Sequence, residues 1–192
     1  MESAFCYFCL QLPAFAVGAP PPVPVEDFDR RLRTVPDAAA RYVRSCGFPL
    51  LPGAVFPWGS AGSRFKAYED QIRYEVARHR SLKAGRSEPP RPRGVAGDGA
   101  LRGQIEAMGG LDPLKREHGL GEMRSRYLAR MEAAHPLSRE AAACYRFRLA
   151  IAWREAALGH PEGLRLFREA VDGLECRAPG SGGDRAEEER DA

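Results

Sequence analysis

Four stretches of this chain place their large apolar residues three or four positions apart. That spacing gathers side chains on one face of an α-helix. The first runs from about 63 to 84, with Phe65, Tyr68, Ile72, Val76, His79 and Leu82 as its stripe. Lys66, Glu69, Asp70, Arg73, Glu75, Arg78, Arg80 and Lys83 fill the other face. Glu69 and Arg73 stand in the favourable i,i+4 order, which contributes about 0.3 kcal/mol at an exposed site. The second stretch opens on Asp112-Pro113, an N-cap carboxylate followed by proline, and reaches about Ala134. Leu120, Met123, Tyr127 and Met131 mark its stripe, while Gly119 and Gly121 weaken it by about 1 kcal/mol each. The third spans about 139–158, with Ala142, Tyr145, Leu149, Ala152, Trp153 and Ala156 predicted to be buried. Gly159 stops it, and Pro161 restarts a fourth through Leu164, Phe167, Val171 and Leu174. Short connections among the last three predict antiparallel neighbours. The expected class is mainly α: an antiparallel bundle of four main helices with shorter N-terminal helices.

The remaining segments read differently. Residues 4–12 are apolar and aromatic, and periodicity leaves strand and helix both open. Residues 19–24 hold four prolines and must be extended. Glu26 and Asp27 before Arg30, Arg31 and Arg33 match the dipole of a short helix, and Pro36-Asp37 starts another that Cys46-Gly47 ends. Residues 48–62 read as an irregular loop with Leu50, Leu51, Val55, Phe56 and Trp58 as apolar anchors. Residues 86–103 are dominated by Pro, Gly and Arg and read as a disordered linker, and 177–192 as a disordered polar tail. The expected organisation is an N-terminal helical part over 1–85, the linker over 86–103, a three-helix part over 104–176, and the tail.

Charge and cysteine usage narrow the function classes. A net charge of +3 among 192 residues is poor support for nucleic acid as a partner. Without the acidic tail, 26 basic residues face 21 acidic ones, a mildly basic body suited to an acidic protein surface. Five scattered cysteines do not make a secreted disulfide framework. No apolar run reaches the length of a membrane span, and the opening Met1-Glu2-Ser3 lacks the basic start of a secretory signal.

Candidate chemistry is sparse. Cys6 and Cys9 form a C-x-x-C, but Cys46, Cys144 and Cys176 are solitary and His79, His118, His135 and His160 are spread singly. A zinc site needs a second close pair of ligands. A redox pair needs its first cysteine at a helix N-terminus in a βα setting. Buried, structural cysteines are the reading for both. His79 lies on an apolar face, and His135 and His160 precede prolines at helix junctions, where capping is natural. His118 has Glu117 and Glu122 nearby but no nucleophile or metal partner in the pattern. Gly94, Gly97 and Gly99 lack the strand and Lys-Ser/Thr of a phosphate loop. In the linker, Glu88 and Asp98 oppose Arg86, Arg91, Arg93 and Arg102, with no aromatic platform for bases. No catalytic residue, cofactor or metal is therefore expected. Glu69, Arg73, Arg146, Arg148 and Arg154 are the candidates for a partner-docking face.

The order of several segments resembles a known family. The start FCYFCLQLPAFAVGAPPPVPVEDF has an aromatic opening, Leu-Pro-Ala, a Gly-x-Pro-Pro turn and an acidic helix start. RFKAYEDQIRYEVARHRSLKAGR follows at 64–86, then Asp112-Pro113-Leu114, Arg126-Tyr127-Leu128 and YRFRLAIAWREAAL. Over about residues 5–175 these resemble a bacterial family of uncharacterised proteins encoded within V/A-type ATPase operons. Its gene position is that of the central-stalk C (or d) subunit, of which it looks like a reduced version. This chain departs from it in carrying Tyr68 where Trp is frequent, in the arginine-rich linker, and in Gly119 and Gly121. The resemblance implies a non-catalytic accessory subunit in proton transport, linking rotor shaft and membrane ring through protein–protein contacts. Its partners would be stalk or ring subunits. Its location would be cytoplasmic, peripheral on the inner membrane through those partners. The alternatives are a helical regulatory adaptor unrelated to the ATPase, and a thiol-dependent enzyme using Cys6 or Cys9.

Overall fold

A computed structural model describes residues 2–50, 54–95 and 97–159, with positions 161, 163, 165 and 169 beyond them. The chain divides into two units, Met1–Ala156 and Ala157–Ala192. In the first, the helices are α1 (Glu2–Leu10), α2 (Val25–Arg31), α3 (Asp37–Ser45), α4 (Ala61–Lys83), α5 (Gly99–Ala107), α6 (Pro113–Ala134) and α7 (Arg139–Gly159), the last running three residues past the division. The described residues contain no strand. The protein is mainly α-helical, as the spacing of apolar residues predicts. Among the described residues no helix is long and apolar enough to cross a membrane. Of the second unit the described positions are helical. The expected fourth helix over 161–174, the tail over 177–192, Leu51, His160 and Cys176 lie wholly or largely outside the described residues.

α7 organises the first unit. Every residue from Ala141 to Ala152 is buried, so this helix presents no single apolar stripe. A helix enclosed on all sides needs apolar residues on all sides, and Ala143, Cys144, Phe147 and Ile151 supply the faces that the predicted stripe left out. Towards the N-terminal elements, Tyr145 stacks on Phe28 of α2 (centroids 5.7 Å apart, 9° between planes), and Phe8 of α1 meets Phe28 edge-on at 5.4 Å. Residues 4–12, open between strand and helix, are thus largely helical, with Phe5 and Phe8 one turn apart facing the core. On its other side Phe147 packs with Phe65 of α4 at 4.8 Å and with Phe56 at 6.0 Å.

The proline-rich stretch between α1 and α2 cannot build a backbone ladder of its own. Its carbonyls are taken by α7 side chains instead. Tyr145 donates to Pro13 O (3.1 Å), Arg148 to Phe15 O, and Trp153 Nε1 to Val23 O (2.8 Å).

The N-terminus of α4 is capped twice. Ser60 accepts from Ser63 N–H (3.2 Å), and Glu140 at the start of α7 accepts from Ala61 N–H (2.6 Å) and from the Tyr42 hydroxyl (2.8 Å). Orphan N–H groups of a first turn favour a carboxylate at that position. Burial pushes the Glu140 carboxyl up, but the hydrogen bonds from Ala61, Tyr42 and Arg139 outweigh it, and its pKa falls below the ordinary value.

The reading of 86–103 as a disordered linker is corrected. Asp98 accepts from Ala100 and Leu101 N–H (2.9 and 3.1 Å) and caps α5, whose Leu101 and Ile105 are buried against Ile72, Leu120 and Met123. Ahead of the helix, Glu88 accepts from the Tyr74 hydroxyl and the Arg91 guanidinium lies 5.2 Å from the Tyr74 ring centre. A few placed contacts to α4 hold this segment where its composition gives no core. Of the anchors expected in 48–62, Leu50 and Phe56 are buried while Val55 and Trp58 face solvent. The two glycines of α6 have a packing reason. A Cβ on Gly119 would stand 2.5 Å from Met108 Sδ, and one on Gly121 1.6 Å from Glu155 Oε1.

Candidate functional site

The five residues expected to form a docking face divide into buried and exposed. Glu69 sits inside, where Arg124 of α6 grips it with both nitrogen arms (Nε–Oε2 2.8 Å, Nη2–Oε1 3.1 Å) and Arg73 Nε reaches Oε1 at 3.2 Å. Arg146 is buried against Asp29 (3.2 Å) and Phe28 (5.9 Å). Arg148 is buried between Glu132 (2.6 Å) and Phe15 (4.6 Å). These three are corrected from surface to interior: each charge is held inside by an opposite charge from another helix, Arg124 for Glu69, Asp29 for Arg146 and Glu132 for Arg148. Arg73 and Arg154 keep about half of their side chains exposed, 55% and 40%. Arg154 pairs with Glu117 and lies over the Phe48 ring, which Arg124 also covers at 4.9 Å.

A second interior network joins α4 to α5. Glu75 is buried between Arg78 (3.5 Å) and Arg102 (3.3 Å), and Arg78 also reaches Glu88 and Glu106. Guanidiniums satisfy such sites because their planar fork can serve two carboxylates. Glu69, Glu75, Arg124, Arg146 and Arg148 are thus mortar between helices, while Arg73, Arg80 and Lys83 stay exposed.

Cys46 and Cys144 are buried core thiols, and Cys9 packs half-buried against the core. Cys9 donates to Ser138 O (3.6 Å), and burial, with Glu132 and Cys6 nearby, pushes its pKa up to about 11. Burial, with Glu140 close to each, pushes Cys46 and Cys144 up to about 12. A nucleophilic cysteine needs the opposite shift. Cys6 and Cys9 are free and half-buried, on one helix rather than at its N-terminus. Among the described residues no three His, Cys, Asp or Glu side chains gather as a metal would require.

The histidines are dispersed. His79 is half-buried with its ring against Gly109, where a Cβ would stand 2.3 Å from Nε2. His135 is the C-cap residue of α6, and its carbonyl accepts from Ser138 Oγ (2.6 Å). His118 lies near Glu155, whose carboxyl burial raises and His118 lowers, for a net upward shift.

Two surface features remain that charge and periodicity do not predict. The turn before α4 projects Val55 and Trp58 into solvent, 89% and 100% exposed, while Phe56 between them is buried against Gly62. A groove of about 430 Å³ is lined by α4, α6 and the start of α5. Its lining includes the stacked pair Tyr68 and Tyr127, with ring centres 4.0 Å apart and planes 7° from parallel. Tyr68, Tyr127 and Arg130 were visible in the sequence, but their convergence needs the register of two helices 60 residues apart.

Comparison with family models, with curated proteins and with solved structures gave no match.

Proposed function

We propose that this chain is a non-catalytic docking protein, an accessory or C-like subunit of a V/A-type ATPase that links rotor shaft and membrane ring through protein contacts. The observation that carries a docking role is Trp58. A wholly exposed tryptophan beside an exposed valine, on a turn whose intervening Phe56 is anchored in the core, has the makeup of an interface hot spot. Support for the identity of the partner is the segment order over residues 5–175 and its resemblance to proteins encoded with such ATPases. In this reading the finer architecture is an antiparallel bundle of four main helices, and the protein sits on the cytoplasmic side of the inner membrane through its partners. The raised pKa of the half-buried Cys9 thiol speaks against Cys9 as the nucleophile of the thiol-enzyme alternative. A regulatory adaptor outside the ATPase would share the docking turn and differ in what it captures.

The test is co-purification from the native host with the tagged full chain. Stalk or ring subunits are expected in the eluate, and Trp58→Ala should reduce their capture by a factor of about 30, the measure of a hot-spot tryptophan. A tagged chain that never brings down either component removes the ATPase reading.

A further inference from the structure

The groove between α4 and α6 gathers positive charge that the protein leaves unused. Arg64 lines it from α4, and Arg126 and Arg130, one turn apart, line it from α6. Arg126 shares its charge with Glu122 at 3.4 Å, both side chains half-exposed. Arg64 and Arg130 have no carboxylate partner among the described residues. The one acid in the lining, Asp98, is committed to the α5 cap through Ala100 and Leu101. In the same unit Arg124, Arg146, Arg148 and Arg154 all hold carboxylates. The Tyr127 hydroxyl is turned to Arg64 O (3.4 Å), and Gln71 and Gln104 add polar groups along the walls.

From this we infer that the groove is a recognition site for a short acidic peptide segment of a protein partner. Asp98 is committed to its cap and Glu122 shares Arg126, which leaves Arg64 and Arg130 for an anionic occupant to complement. The groove is open and its arginines are exposed, so a single small anion would be held by screened contacts alone. An acidic chain lying along it engages Arg64 on one wall and Arg126 and Arg130 on the other at once. The apolar parts of its side chains cover the tyrosine pair. The volume of about 430 Å³ falls in the range of roughly 300–1,000 Å³ typical of ligand sites. The two rings are stacked on each other, which leaves no slot between them for a nucleobase. The inference does not depend on the ATPase reading, because any partner with such a segment would satisfy it.

The experiment titrates the full chain against a fluorescein-labelled Glu-Ala-Glu-Glu-Ala-Glu peptide and reads anisotropy. Saturable binding that weakens as salt rises is expected. Arg64→Ala/Arg130→Ala should weaken it at least tenfold with an unchanged circular dichroism spectrum. Arg33→Ala/Arg41→Ala, which removes the same charge from exposed positions outside the groove, should leave it within twofold. Arg64→Glu/Arg130→Glu should transfer binding to the Lys-Ala-Lys-Lys-Ala-Lys peptide. The inference is overturned by absence of binding, or by equal loss in the two alanine pairs. It is also overturned if 1 mM inorganic phosphate displaces the peptide at constant ionic strength, or if a single-stranded oligonucleotide binds the groove more tightly than the peptide. Failure of ATPase capture with intact peptide binding would remove the function proposed above and leave this site standing.

Discussion

Replacing Arg124 should be among the most damaging single changes in the protein. Its guanidinium makes two hydrogen bonds to Glu69, at 2.8 and 3.1 Å, and both side chains are almost wholly out of water. Arg124→Ala leaves the Glu69 carboxylate buried with Arg73 as its remaining partner, and half of that side chain is in solvent. Removing one member of a buried ion pair costs about 3–5 kcal/mol, against a total stability of about 5–15 kcal/mol for a domain. At this chain length that corresponds to a fall in Tm of about 6–20 °C. The companion variant Glu69→Leu/Arg124→Met removes both charges and fills the space with apolar atoms, so it should lie within about 2 kcal/mol of the wild type or exceed it. Urea denaturation followed at 222 nm measures both. A loss below about 1 kcal/mol for Arg124→Ala, or a double variant as unstable as the single one, would refute the account of Glu69 as a buried, charge-compensated carboxylate.

Four further outcomes follow from the structure. Glu140 has a depressed pKa in the fold, so its contribution is complete above the unfolded value near 4.5 and is lost as pH falls through the folded one. Glu140→Gln should cost about 1–2 kcal/mol at pH 7 and less at pH 3, read from denaturation midpoints at the two pH values. Gly103→Ala, where a Cβ meets nothing within 4 Å, should stabilise α5 by up to about 1 kcal/mol. Gly121→Ala must displace the flexible end of the Glu155 side chain, which offsets its gain of about 1 kcal/mol in helix propensity, and Gly121→Ala/Glu155→Ala should melt above Gly121→Ala. Cys46 and Cys144, sealed and shifted up to about 12, should react with a thiol reagent at pH 8 only on unfolding, and rapid native labelling of Cys144 in a mass-spectrometric time course would contradict the enclosed α7.

The three long helices of the first unit were legible because each is long enough for its apolar spacing to be unambiguous and because Asp112-Pro113 and Ser138 mark starts. α5 was hidden by the prolines and glycines before it. Its signal was there, in Asp98 as a cap followed by Leu101, Ile105 and Met108 at four and three, but a nine-residue helix offers too few repeats to outweigh such neighbours. The buried arginines were illegible for a different reason. Arg124, Arg146 and Arg148 have the composition of a solvated face, and only tertiary structure shows that Glu69, Asp29 and Glu132 stand opposite them. Enclosure of α7 is partly visible in AAACYRFRLAIA, where apolar residues occupy every face, but its two arginines have the composition of surface. The turn before α4 is apolar by sequence, and which of Val55, Phe56 and Trp58 points outward depends on Gly62 making room for one ring.

The straps between α7 and the N-terminal stretch have a temporal consequence. Tyr145 and Trp153 hold backbone made 132 and 130 residues earlier. On a ribosome adding about 5–20 residues per second, the aromatic cluster of α1 and α2 waits roughly 6–26 s for the helix that covers it. During that interval Phe5, Phe8 and Phe28 have one another, Leu32 and Val43 but lack Ala142, Tyr145 and Leu149, so the half-covered cluster suits a holding chaperone, and stalling translation before codon 139 should leave an aggregation-prone product while stalling beyond the exit tunnel after codon 159 should not.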